Sequence, residues 1–174
     1  MEDDREYDKQ TTEEIKEDIR QQMKSEESID FRLDLERLER EYKEECRQHG
    51  SAGAKKFPYA VLLIRSNNRQ QVEFGVRLLH EELREEIEDG GRANLYYLAL
   101  GYFRLGDYVA ARKSAEALLQ LEPHNRQARA MKALLDEQIT KDGLVGMGLV
   151  GGATLLAAGA LTAGVFLIRA LAKK

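Results

Sequence analysis

Tryptophan is absent from the 174 residues, and cysteine, proline and histidine are scarce, at one, two and three. A lone Cys46 excludes an internal disulfide framework and fits a reducing compartment. With prolines only at 58 and 123, long stretches are free to run as helix, and 33% charged residues suit helices with solvated outer faces better than a β-sandwich. His49, His80 and His124 stand 31 and 44 residues apart, without HExxH, paired Cys/His spacing, a nucleophile elbow or a phosphate-binding loop. No enzyme, metal or cofactor is therefore expected. Excess positive charge is also missing. The net charge is −4, of which Arg169, Lys173 and Lys174 contribute +3, so residues 1–142 carry −7, which argues against nucleic acid as a partner. The acidic start Met1-Glu2-Asp3-Asp4 is unlike a basic, acid-poor presequence.

What is present is concentrated at the end. Residues 143–168 form 26 positions without a charge, long enough to cross a hydrocarbon core of roughly 30 Å as a helix. Lys141 and Asp142 border this run on one side and Arg169, Lys173 and Lys174 on the other, which leaves ionisable groups only where headgroups and water reach them. The reading is a single-pass tail anchor over 143–168 with a short basic targeting tail, 169–174, and a cytosolic body before it. Its seven glycines and five alanines make the span only moderately hydrophobic, which resembles outer mitochondrial or peroxisomal anchors. Gly148 and Gly152 are spaced to let two spans approach and self-associate into a homo-oligomer. Gly146, Gly148 and Gly151 match the dinucleotide fingerprint in letters alone, since no strand precedes them and no acid follows Asp142.

Residues 1–30 hold 12 acidic and five basic residues, and read as a mobile or partly helical acidic arm. Ile15, Ile19 and Met23 recur at helical spacing, so the alternative is an arm that folds back over a groove and competes with a partner. Phe31, Leu35, Leu38, Tyr42 and Cys46 then mark one face of a helix ending near Gly50, with Cys46 as a small core residue. Pro58 is expected in the first turn of the next helix. Val72, Val76, Leu79, Leu83 and Ile87 give another, 92–105 is apolar nearly all round, and 108–121 and 124–141 complete six helices. The fold class is all-α: a six-helix bundle over 31–142 plus one C-terminal transmembrane helix.

Two of these hairpins look like tandem repeats. Residues 92–125 fit a tetratricopeptide pattern, with Leu98, Ala99, Tyr102, Gly106-Asp107-Tyr108, Ala111 and Pro123 in register, and 57–87 repeats it more weakly through Tyr59 and Gly75. In such a stack the first helix of each hairpin lines the concave side. That register gives a partner-binding groove of Ala60, Leu63, Ile64, Asn67, Tyr96, Leu100, Phe103 and Arg104, covered in part if the arm or first helix folds over it.

With the repeats and tail together, the chain resembles the mitochondrial fission 1 protein family over about residues 34–174. The resemblance rests on Tyr59-Ala60, on Ile64-Arg65-Ser66, on the run from Tyr97 to Leu105, on Leu121-Glu122-Pro123-His124-Asn125 and on the run from Lys141 to Met147. Val61 stands where the family often has tryptophan, and the arm is longer than usual. The resemblance implies an adaptor on the outer mitochondrial membrane, with peroxisomes as a second address, that recruits a dynamin-related GTPase, directly or through adaptors, for fission. The competing reading is a tail-anchored docking module for chaperones or other peptide ligands.

Overall fold

Most helices of the body begin where a polar side chain, local or from a neighbouring helix, accepts from an amide of the first turn, and two end on a glycine. The computed structural model describes residues 2–50, 53–85 and 91–149. Among them are seven helices and no strand: α1 Glu2–Glu26, α2 Arg32–His49, α3 Gly53–Arg65, α4 Arg69–Glu85, α5 Arg92–Leu105, α6 Tyr108–Leu121 and α7 Arg126–Leu149. Asn68 caps α4 by accepting from the Gln70 amide at 2.9 Å, Asp107 caps α6 through the Ala110 amide at 3.0 Å, and Asn125 caps α7 through the Ala128 amide at 2.9 Å. Gly106, at φ 78°, closes α5: its amide and that of Asp107 donate to the Phe103 and Tyr102 carbonyls.

The expected bundle is present as α2 to α7, with two displaced boundaries: α3 begins early, and α7 continues past the expected end at Lys141 to Leu149. Pro58 is the sixth residue of α3, because the helix starts a turn earlier than its proline suggests. That extra turn is held from outside: Glu45 of α2 accepts the Lys55 amide at 3.1 Å, and Lys55 reaches Glu41 at 2.9 Å. Proline lacks an amide that would have paired in this second turn, so the cost of placing it there is limited to the helix end.

The chain divides into two compact units, Met1–Glu137 and Gln138–Lys174. In the first, α3 pairs with α4 and α5 with α6, and α3 also lies against α2 and α5. The core joins Tyr59, Leu63 and Ile64 of α3, Val76 and Leu79 of α4, Leu98 and Leu100 of α5, and Met131, Leu134 and Leu135 of α7. Ile19 of α1 belongs to the same cluster, with Ile15 and Met23 packed against it. In the second unit only 138–149 are described, as the end of α7. Among the described residues no helix is long and apolar enough to cross a membrane. Residues 150–168 of the expected span, Gly152 included, lie outside the described residues, as do Arg169, Lys173 and Lys174, and Gly148 is described by its backbone alone.

Close approach of α3 and α4 depends on Gly75. A Cβ there would stand 2.8 Å from the Ala60 carbonyl oxygen and 3.0 Å from Ile64 and Leu63. In an exposed helix interior Gly→Ala gains roughly 0.8–1 kcal/mol. At this site the collision is with backbone and outweighs that gain, so Gly75→Ala should lower stability by about 1–3 kcal/mol. Chemical denaturation of the two forms measures it, and a stabilised variant would disprove the packing.

Burial also sets the response to alkali. The Tyr42 phenol is pushed up to about 12 by burial and by neighbouring Cys46. Burial raises Tyr59, Tyr96 and Tyr102 as well, helped by Glu39, by Tyr97 and Glu26, and by Asp107 in turn. A phenol whose folded pKa exceeds its ordinary 10.0 contributes full stability below that pH and loses it as pH climbs through the folded value. A phenolate absorbance titration should therefore show some of the seven tyrosines ionising late, above pH 10.0 and together with loss of helix. Ionisation of all seven as one group near pH 10.0 with the helices intact would contradict this burial.

Candidate partner-binding face

The first helices of successive hairpins, α3 and α5, together with α7, meet one common element: α1. From α1, Glu26 reaches Arg65 at the end of α3 and Arg104 in the last turn of α5, while Lys16 and Arg20 reach Glu137 of α7. The arm thus crosses the helices that the repeat register assigned to the concave side.

The apolar stripe explains why it lies there. Ile15, Ile19, Met23 and Glu26 recur at steps of three and four, so one side of α1 carries three apolar side chains followed by a carboxylate. Ile19 is 4% exposed, and burying such a side chain is worth roughly 1.5–3 kcal/mol.

At the end of that stripe the chemistry becomes ionic. Glu26 is 1% exposed, and its two oxygens are divided between two cations. Oε1 accepts from Arg65 Nε at 2.7 Å and from Gln22 Nε2 at 3.1 Å, and Oε2 accepts from Arg104 Nη2 at 2.5 Å. One residue on, the Glu27 carbonyl accepts from Asn67 Nδ2 at 2.6 Å. Phe31 braces the clamp, with the Arg65 guanidinium 5.2 Å above its ring. A buried carboxylate is tolerated only when paired in this way, and stripping one member from a buried pair costs about 3–5 kcal/mol.

A second ionic cluster sits nearer the start of α1. Lys16 is 1% exposed. Burial opposes its charge, but hydrogen bonds from its ammonium to Glu137 and Glu13 outweigh that and leave its pKa above 10.5. Arg20 donates to the other Glu137 oxygen at 2.7 Å.

The eight groove residues divide into two groups. Asn67 is exposed, Tyr96 and Phe103 are half-buried, and the Arg104 side chain is nearly covered, all beside α1 or its connection to α2. Ala60, Leu63, Ile64 and Leu100 are 0–2% exposed and belong to the core. Ala60 and Ile64 turn toward Gly75, and Ile64 also lies against Gly101. Their work is to join α3, α4 and α5. Arg65, Glu26, Lys16 and Glu137 were not among the expected site residues. Arg65 and Glu26 lie 39 positions apart, so no local pattern links them, although Glu26 does continue the Ile15, Ile19, Met23 stripe. A cleft of about 540 Å³ remains open alongside, between Met23 and Glu27 on one side and Asn67, Val72, Phe103 and Arg104 on the other.

Comparison with known proteins gives this face a context. Residues 92–144 match the Fis1 C-terminal tetratricopeptide repeat. The chain is 44% identical over 119 residues to the mitochondrial fission 1 protein of Candida albicans, covering 68% of this chain and 72% of that one. It is 40% identical over 126 residues to the Bos taurus protein, covering 72% and 83%. It is similar in structure to the crystal structure of the fission protein Fis1 from Saccharomyces cerevisiae, with a TM-score of 0.60 at 27% identity over 72% of this chain and 95% of that one. It is also similar to yeast Fis1 in complex with an Mdv1 fragment, with a TM-score of 0.60 at 28% identity, covering 70% and 94%. Identity of that extent, carried by the same tandem hairpins, makes this chain a member of the mitochondrial fission 1 protein family.

Proposed function

We propose that the chain is a membrane-anchored adaptor that recruits the organelle division machinery, a dynamin-related GTPase or its adaptors, to mitochondria and peroxisomes. The observation that carries this reading is that α3, α5 and α7 already hold an amphipathic helix, α1, across the face a partner would use. A face that accepts one helix is chemically suited to another. The yeast relative bound to an Mdv1 fragment supports a protein as the occupant.

The division of labour follows the sequence. Residues 31–142 form the binding domain, 143–168 the single-pass anchor, 169–174 the cytosol-excluded targeting tail, and 1–30 an arm that competes for the binding face. The uncharged run with Arg169, Lys173 and Lys174 after it supports an outer mitochondrial membrane address with the body in the cytosol. Confinement to a surface raises the effective concentration of adaptor and partner, so a weak groove suffices for recruitment. Gly148 and Gly152 would add self-association within the membrane.

In cells lacking their own copy, the tagged full chain should decorate mitochondria and restore organelle length, while residues 1–142 should stay diffuse and restore neither. A diffuse full chain would end the anchor assignment. Competition by the arm is tested separately. Glu26→Ala should speed amide hydrogen exchange along α1 at least about tenfold, equivalent to roughly 1.4 kcal/mol, and by a smaller factor in α3 and α5, which Glu26 ties together. Equal exchange in both forms would refute the ionic hold.

A further inference from the structure

The way Glu26 is held says what kind of segment the face accepts. Three donors converge on the C-terminal end of α1: Arg65 of α3 and Arg104 of α5 on the Glu26 carboxylate, and Asn67 from the turn after α3 on the next backbone carbonyl. Helix ends expose unpaired carbonyls and carry partial negative charge, so cations and an amide donor placed there complement both a helix C-terminus and a carboxylate beside it. The arm does not use this set fully. The Arg104 side chain is 8% exposed, yet its Nε has no hydrogen-bond partner among the described residues. Glu26 bridges the arginines with one oxygen each, whereas a guanidinium offers a planar fork that a carboxylate can meet with both oxygens. A ligand that satisfied Arg104 through Nε and Nη2 together would make a charge-assisted bond that α1 forgoes.

Resting on the adaptor reading above, we propose that Arg65, Arg104 and Asn67 form a reading site for a helix that ends in an acidic side chain. The partner segment of this face is accordingly an amphipathic helix with apolar residues on one stripe and Asp or Glu one turn after the last of them, for which α1 is a built-in stand-in. Charge complementarity supports the assignment. Once α1 leaves, two guanidinium groups stand at the end of an apolar track formed where Ile15, Ile19 and Met23 had packed. A neutral or basic helix end would leave them uncompensated.

The test uses the full chain in detergent carrying Ile19→Asp and Glu26→Ala, which expel the arm. The probe is a displayed library of helical peptides with the apolar stripe of residues 15, 19 and 23 fixed and the position matching 26 randomised. Selection should enrich Glu and Asp at least about tenfold over Gln, and adding Arg65→Ala and Arg104→Ala should remove the preference. Should those variants fail to fold, Arg104→Lys keeps the charge, loses the fork and should cut the preference severalfold. Equal recovery of Gln and Glu overturns the reading site while leaving the groove standing. Recovery only of peptides with a free C-terminal carboxylate at that position also overturns it, in favour of terminus capture. If no member binds above an unrelated helix, the groove assignment itself falls.

Discussion

Ile64 presses against two glycines, and the geometry of the body follows from that contact. Its side chain fills the space beside Gly75 of α4 and Gly101 of α5, so three helices from two hairpins share one completely buried residue. A side chain at either glycine would force the helices apart, because packed interiors have no slack of that size. The functional face inherits its spacing from this point. Arg65 is the next residue after Ile64, and Arg104 lies one turn beyond Gly101. Packing on one side of α3 and α5 thereby sets how far apart two cations stand on the other.

Charge plays a narrower part than composition suggests. The arm holds 12 acids, but only Glu26 is both described and buried, and the described remainder meet solvent or local partners such as Arg20 with Glu17. Exposed pairs of that kind contribute about 0–1 kcal/mol. What holds α1 is apolar burial, with ionic contacts at two points that fix its register along the face. The Lys16, Arg20 and Glu137 cluster pins one point and the Glu26 clamp the other.

Helix positions were legible because amphipathic stripes such as Val72, Val76, Leu79 and Leu83 carry their own period, and turns such as Gly106-Asp107 carry their own chemistry. Pro58 misled by one turn because the stabilising partner, Glu45, belongs to another helix. The tandem register correctly named α3 and α5 as neighbours, yet it could not tell which of their side chains stay open. Ala60 and Ile64 are drawn inward by a glycine on α4, a tertiary event without a trace in α3 itself. Arg65 is harder still. Beside Ser66-Asn67-Asn68 it reads as an ordinary solvated helix end, and its importance depends on a carboxylate 39 residues earlier.

The same crossing helix bears on how the repeats stay assembled. Two hairpins are fewer than the roughly three repeats a stack of this type needs, and α1 ties α3, α5 and α7 together from one side as a strut. An empty face would lose that strut along with its ligand. On the proposed reading, exchange of the arm for another helix would be a handover, in which the incoming segment inherits the mechanical duty of the one it displaces and the stack is braced by whichever of the two is in place.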